Sequence, residues 1–173
     1  VDKKIQAEVS YTDKQNTAET ITSDETVQIA NVDDTPTGQP IIDGTVNGTA
    51  TQNDTLTVNT NSIADEDGLG DFSYEWFADG ESIDGATSDS FTLTQSEVGK
   101  EVTVDVSYTD GFGQLETIAS DPTEPISNVN DSPAGSVVIE GVLEQHETLS
   151  ANITSITDED GLGAFSYQWF ADG

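Results

Sequence analysis

Apolar and polar residues alternate over long stretches of the chain. In the segment 101–108 every second residue is apolar, namely Val102, Val104, Val106 and Tyr108. The same pattern occurs near the start of the chain, at Ile5, Ala7, Val9 and Tyr11. Successive side chains point to opposite faces of a β-strand, so a period of two places all the apolar residues on one face. Both segments are therefore predicted to be strands with one face in a core.

Aromatic residues mark two further predicted strands. They alternate with polar residues at Phe72, Tyr74 and Trp76, and again at Phe165, Tyr167 and Trp169. Shorter runs predict strands at 55–59 and 90–94, and others near 41–48 and 114–127. About seven short strands in about 95 residues, separated by Gly, Asp and Asn, are typical of an all-β sandwich.

One segment breaks the alternation. Residues 94–100 predict a single helical turn that crosses between the two sheets. Ser96 is the expected N-cap, because a short side-chain oxygen can accept from a free N–H of the first turn. Gly99 is expected to end the turn in the left-handed conformation.

The chain also repeats itself. The residues Asp-Glu-Asp-Gly-Leu-Gly at 65–70 return unchanged at 158–163, 93 positions later. Ser-Tyr-Thr-Asp at 10–13 returns at 107–110, 97 positions later. Because the two spacings agree within four residues, one repeating unit of about 95 residues accounts for both.

These spacings divide the chain into three parts. Residues 1–36 are expected to be the C-terminal part of one unit, 37–131 a complete unit, and 132–173 the N-terminal part of the next. Arrays of this kind more often space, bind or assemble than catalyse. The sequence also offers no catalytic constellation, since it has no Cys and a single His. We therefore expect a protein that is not an enzyme.

Charge narrows the possible partners. The chain has 34 acidic and four basic residues, which gives a formal net charge of -30. Such a chain repels the phosphates of nucleic acid and anionic membrane surfaces. It also lacks the 18 consecutive apolar residues that indicate a membrane span. We expect no nucleic-acid partner and no membrane insertion.

The repeated acidic loop is the first candidate cation site. It places three carboxylates directly before Gly68, and Asp65 and Asp67 are the better candidate ligands because alternate loop residues tend to point the same way. Asp158 and Asp160 are their counterparts in the next unit. Carboxylate oxygens suit a hard cation such as Ca²⁺. The alternative is a solvated acidic turn.

A second candidate follows the strand 101–108. Asp110 begins a Gly-rich turn, Asp-Gly-Phe-Gly, at the end of that strand. Its counterpart in the first unit is Asp13, where Lys14 follows and both glycines are missing, so calcium binding is expected to be weaker there. A structural β-turn at Asp110 is the alternative.

Three segments of the complete unit carry a family resemblance. Phe-Ser-Tyr-Glu-Trp at 72–76, Ile-Asp-Gly-Ala-Thr at 83–87 and Val-Gly-Lys-Glu-Val-Thr-Val at 98–104 resemble the bacterial immunoglobulin-like repeats of large secreted, RTX-type adhesins. The resemblance extends over the whole chain. It implies tandem Greek-key, immunoglobulin-like β-sandwiches, with Trp76 and Trp169 as core tryptophans, and an extracellular, cell-surface or secreted location.

The unit boundaries resemble the linkers of cadherin-like repeats. Asn-Val-Asn-Asp-Ser-Pro at 128–133 and its counterpart at 31–36 have an amide or acidic pair before a proline. The resemblance implies calcium ligands at Asn128, Asn130 and Asp131, and at Asn31, Asp33 and Asp34. An Asx-turn that simply ends each unit is the alternative.

Two functions fit these observations. The first is a calcium-stiffened extender that holds an adhesin's binding domain away from the cell, with neighbouring repeats of the same chain as partners. The second is a segment of a subunit that self-assembles with identical chains into an extracellular filament, sheath or surface layer.

Overall fold

The computed structural model describes residues 1–46 and 49–171, which form an all-β structure. In chain order its elements are β1 (Glu8–Thr12), β2 (Ala18–Thr22), β3 (Ile41–Asp43), β4 (Thr55–Asn59), β5 (Ser73–Ala78), β6 (Glu81–Ser82), β7 (Ser90–Thr92), a 3₁₀ turn (Gln95–Glu97), β8 (Val102–Thr109), β9 (Leu115–Ala119), β10 (Val138–Glu140) and β11 (Ser150–Asn152). The predicted all-β class is confirmed. The last two residues of the strand expected near 41–48 lie outside the described residues.

The middle unit is built from two antiparallel sheets, in an arrangement consistent with a β-sandwich. One sheet has the order β3-β4-β7 and the other β6-β5-β8-β9. The longest pairing joins β5 to β8 and sets Trp76 opposite Val104 and Tyr74 opposite Val106. The alternation predicted for β8 is confirmed, because its inward residues Val102, Val104, Val106 and Tyr108 are all buried.

Trp76 is the centre of the core. Its side chain is fully buried, its indole Nε1–H donates to the Ser88 carbonyl at 2.9 Å, and its ring lies 5.9 Å from that of Phe91. Leu56 from β4 and Leu93 are fully buried in the same cluster. Side chains from both sheets therefore meet in one apolar layer, and burying them is the main force that holds the unit together.

The predicted helical turn forms, with a different cap. It is a 3₁₀ turn whose N-cap is Thr94, so the prediction of Ser96 as the cap is wrong. The Thr94 hydroxyl accepts from the Ser96 N–H, while the Glu97 carboxylate accepts from the Thr94 N–H at 2.8 Å. This reciprocal capping box favours Thr94 because Glu97 lies three residues after it. Gly99 has φ +78°, as predicted.

The flanking parts depart from the predictions. β1 and β2 form a hairpin, but Val9 and Tyr11 stay 62% and 52% exposed, because no second sheet covers the hairpin in the described part of the chain. The segment 165–169 forms no strand and Trp169 is 48% exposed. A strand needs a hydrogen-bonding partner, and no counterpart of β8 lies beside this segment among the described residues.

Candidate metal centre

Three segments meet at the start of the middle unit: the linker 31–34, the acidic loop 65–70 and the turn that follows β8. Asp67 is the link between them. Its carbonyl accepts from the Gly111 N–H at 3.1 Å, and its carboxylate contacts the linker. The chain thus brings residues 33, 67 and 110 together although they are far apart in sequence.

The acidic loop is held by its own first residue. One oxygen of the Asp65 carboxylate accepts from the Asp67 N–H at 2.8 Å, and the other accepts from the Tyr108 hydroxyl. Gly68 follows with φ +96°, a left-handed conformation in which glycine has no steric cost. The Asx-type turn aims Asp67 inward, and its side chain is only 7% exposed.

The turn after β8 is held by Asp110 in a similar way. Its Oδ1 accepts from the N–H groups of Phe112 and Gln114, at 2.9 and 2.8 Å. Its Oδ2 is buried and has no hydrogen-bond partner in the structure. Buried polar atoms are nearly always paired, and an unpaired one costs about 1–3 kcal/mol. This oxygen is therefore in a position that suits an ion.

The linker docks on Asp67 with two hydrogen bonds. The Asn31 amide donates from Nδ2 to Oδ1 at 2.9 Å, and the Asp34 N–H donates to Oδ2 at 2.7 Å. This two-point contact fixes the backbone between the two donors. As a result, the carboxylate of Asp33 is held against the loop and the turn.

The result is a cluster of three carboxylates from Asp33, Asp67 and Asp110, which we call the joint cluster. Their nearest oxygens all lie within 4.8 Å of one another. The one ion pair in the described residues joins Lys4 to Glu25, so no lysine neutralises the cluster. Three hard anionic ligands at this spacing could hold a metal ion.

The electrostatics reflect this crowding of negative charge. Loss of hydration, together with the carboxylates of Asp110 and Asp67, raises the pKa of Asp33. Loss of hydration and nearby carboxylates also raise the pKa of Glu116, on β9, and Asp33 has the largest effect among these carboxylates. Burial and the hydrogen bond to Asp65 raise the pKa of Tyr108, which keeps its hydroxyl a donor. Sequence reasoning missed Tyr108 and Glu116 as parts of this region.

The second joint repeats the docking geometry. The Asn128 amide donates to one oxygen of Asp160 and the Asp131 N–H donates to the other, both at 2.8 Å. Asp158 again accepts from the N–H of the second aspartate, at 3.0 Å. Asn130 stands where the first joint has Asp33, and its amide donates to the Asp131 carbonyl at 2.9 Å.

The predicted ligands therefore fall into three groups. Asp33, Asp67 and Asp110 form the joint cluster. Asn31 positions the linker on Asp67, while Asp34 and Asp65 line a cleft of about 300 Å³ beside the cluster. The second joint supplies the third group, which has the matching docking arrangement without a cluster of three acidic residues among the described positions: Asn128, Asn130, Asp131, Asp158 and Asp160.

Gly70 allows the acidic loop to pack against the end of β8. A Cβ atom built on Gly70 would lie 2.1 Å from the Thr109 carbonyl oxygen, which is backbone and cannot move alone. We expect Gly70→Ala to push the loop off the strand, at a cost of about 1–3 kcal/mol. The unfolding midpoint of the middle unit, measured by circular dichroism, should fall by roughly 4–8 °C per kcal/mol.

The matched control is Gly163→Ala in the next unit. A Cβ atom at Gly163 would meet nothing within 4 Å, so this variant should melt like the parent chain. Equal midpoints for both variants would contradict the described packing of the loop.

The comparisons with known proteins add no family. No protein-family model, curated protein or solved structure matches the chain. Within the described ranges, no helix is long and apolar enough to cross a membrane. The fold and the site define the chain as an all-β protein with a candidate metal centre where a linker meets the next unit.

Proposed function

We propose that this chain is an extracellular structural module of a bacterial, RTX-type adhesin, built from tandem immunoglobulin-like repeats whose joints are stiffened by calcium. The observation that carries the proposal is the joint cluster. Its ligand Asp33 lies on the linker, whereas Asp67 and Asp110 belong to the following unit. An ion bound to all three residues ties the linker to that unit and restricts bending between repeats.

Strand order supports the immunoglobulin-like part of the proposal. The chain forms β3 and β4 in one sheet, crosses to the other sheet for β5 and β6, returns for β7 and crosses again for β8 and β9. Trp76 on β5 lies in the core between the two sheets. Central core tryptophans on the corresponding strand are a hallmark of immunoglobulin domains. Antibody domains also have a disulfide between the two sheets beside this tryptophan. The chain has no cysteine, and apolar packing takes the place of the disulfide through Leu56, Val58 and Val106.

The chemistry of the site favours calcium among common cations. The cluster offers oxygen ligands alone, and one of them, Asp33, is exposed on a linker. Ca²⁺ accepts flexible ligand sets of six to eight oxygens, including water, whereas Mg²⁺ demands a nearly ideal octahedron. Extracellular calcium modules typically have Kd values of about 10⁻⁴–10⁻³ M, which suits a site that is filled only outside the cell.

Calcium removal tests the mechanical role. In calcium, the first joint should be straight and the middle unit should melt at a higher temperature, because the ion offsets repulsion among the three carboxylates. In calcium-free buffer we expect a lower unfolding midpoint. Small-angle scattering should then give a smaller radius of gyration and a broader distribution of interatomic distances. If neither midpoint nor length responds to calcium, the mechanism is wrong. Magnesium at equal ionic strength is the control for simple charge screening.

A second candidate function is assembly of identical chains into a filament or sheath. It is favoured by exposed apolar residues in the two flanking parts, among them Val9, Ile21, Tyr167 and Phe170. Val9 and Ile21 lie opposite each other in the β1–β2 hairpin, and exposed apolar surface of this kind can mark an interaction site. Negative-stain images separate the two functions, since isolated threads favour the extender and regular lateral assemblies favour the filament.

A further inference from the structure

Gln52 contacts the second linker, residues 128–133, as Asp160 does. It lies in the loop between β3 and β4, and its side chain is only 4% exposed. The amide Nε2 donates to the Asp131 carboxylate at 2.9 Å, and the amide Oε1 accepts from the Val129 N–H at 3.2 Å. Its backbone N–H also donates to the Ser127 carbonyl at 2.9 Å. One residue of the middle unit thus contacts two positions of the linker, Val129 and Asp131, and Ser127 directly before it.

The loop that presents Gln52 is itself rigid. The Asp54 carboxylate accepts from both the N–H and the hydroxyl of Thr51, at 2.8 and 2.9 Å. Asn53 has φ +73°, and its N–H donates to the Leu93 carbonyl at 3.0 Å. Gln52 is therefore held in place by the core on one side and by this turn on the other. Its amide has little freedom to follow the linker if the linker moves.

We propose that Gln52 is a metal-independent clamp that fixes the linker on the unit preceding it, so that an ion controls only the other half of each joint. The proposal rests on the proposed function in one respect, namely that the linker is a joint between repeats. Asp131 then connects the two halves: its carboxylate accepts from Gln52 and its N–H donates to Asp160. Gln52 is a positioning residue and binds no ion itself.

The next unit has the same turn with a glutamine at the same position. Gln145 occupies the matching position, and His146 after it has φ +76°, as Asn53 has +73°. The Glu147 N–H donates to the Glu144 carbonyl at 3.2 Å, as the Asp54 N–H does to Thr51 at 3.0 Å. The turn, and a glutamine at the same place in it, therefore recur although the neighbouring residues change. In this chain Gln145 is exposed and serves as an internal control.

The two joints differ in a way that separates the ion from the clamp. The first joint has the full joint cluster. The second joint has the Gln52 contacts, with Asn130 in place of Asp33. Effects of calcium can therefore be measured at the first joint and effects of the clamp at the second.

The test exchanges donor and acceptor in the full chain. Gln52→Glu keeps the shape but sets a carboxylate against that of Asp131. We expect amide hydrogen exchange at Val129, measured by NMR, to rise about tenfold, because two like charges meet and push the side chain that accepts from the Val129 N–H away from the linker. Gln52→Glu combined with Asp131→Asn restores a donor and an acceptor in reversed order, and exchange should return to within about twofold of the parent.

Two features keep the result interpretable. Gln145→Glu, in the matching turn, should leave exchange at Val129 unchanged, and exchange at Val104 in β8 reports whether the core stays folded. If Gln52→Glu unfolds the core, Asp131→Ala removes the acceptor of the Gln52 amide from the linker side and should raise exchange at Val129. Full protection in the single variants, or no recovery in the double variant, overturns the clamp.

Calcium distinguishes the clamp from the proposed function. The effect of Gln52→Glu should be equal in calcium and in calcium-free buffer, since the clamp contains no ion. An effect that disappears on calcium removal overturns metal independence. Failure of the chain to bind calcium at the first joint overturns the proposed function and leaves the exchange result at the second joint intact.

Discussion

Asp110→Asn should raise the unfolding midpoint of the calcium-free chain and lower that of the calcium-saturated chain. Without an ion, the substitution removes a buried, unpaired carboxylate oxygen, and the new Nδ2 can donate to Asp33 or Asp67. The gain should be about 1–3 kcal/mol, since that is the usual cost of a buried unsatisfied group. With an ion, the same substitution replaces a ligand by a donor that faces the cation.

In calcium, the gain is set against the lost stabilisation by the ion, so the midpoint falls by the difference between the two. A ligand present at 100 times its Kd stabilises the folded state by about 2.7 kcal/mol, and most of this should disappear in the variant. Differential scanning calorimetry with and without calcium measures both shifts of the unfolding midpoint. Their opposite signs are more informative than either shift alone, because a general packing defect lowers the midpoint under both conditions.

Asp13→Asn is the matched control. Asp13 occupies the same position in the first unit, and its Oδ1 accepts from the N–H groups of Gln15 and Thr17, both at 2.8 Å. It belongs to no cluster of acidic residues among the described positions. The control should show no calcium-dependent change of sign. A change of equal size in both variants would mean that the turn, and not the joint cluster, is responsible.

Trp76→Ala should have the largest effect on stability of any single substitution in the middle unit. The side chain is fully buried between the two sheets and contributes one hydrogen bond, to the Ser88 carbonyl. Truncating a buried tryptophan costs about 3–5 kcal/mol, since it removes apolar burial and leaves a cavity. For a unit of this size, the midpoint should fall by more than about 12 °C.

Trp169→Ala is the control for this prediction. Trp169 has the same position in the next unit but is 48% exposed, so its removal should change the midpoint little. Because the chain has two tryptophans, each variant retains one of them as its only indole fluorophore. Emission should be blue-shifted when Trp76 remains and red-shifted when Trp169 remains. Equal losses of stability would contradict the described core.

The sequence was sufficient for the parts of the fold that depend on local pattern. The period of two in β8 correctly gave its buried face, because Val102, Val104, Val106 and Tyr108 all point to one side. The same pattern failed for Val9, Tyr11 and the segment 165–169, where burial or pairing depends on strands from elsewhere. Alternation predicts the face of a strand, whereas its burial and its partner depend on long-range contacts.

The candidate site shows the same difference between features that depend on local pattern and features that depend on long-range contacts. Asp67 and Asp110 could be chosen from the sequence because they lie in turns that recur, and the structure then brings them within reach of Asp33. Gln52 could not be chosen, since nothing local connects it with Asp131, 79 positions away. The feature that could have drawn attention to Gln52 is the glutamine at the matching position, Gln145. Each of the two glutamines precedes a residue with positive φ, Asn53 or His146.

Direct calcium binding is the most decisive measurement. Isothermal titration of the full chain with CaCl₂, at about 0.15 M monovalent salt to screen diffuse attraction, should reveal a saturable site with a Kd of about 10⁻⁴–10⁻³ M. Asp110→Asn should abolish it and Asp13→Asn should preserve it. A chain that shows no saturable calcium binding, or that binds equally well without Asp110, would contradict a calcium-stiffened joint.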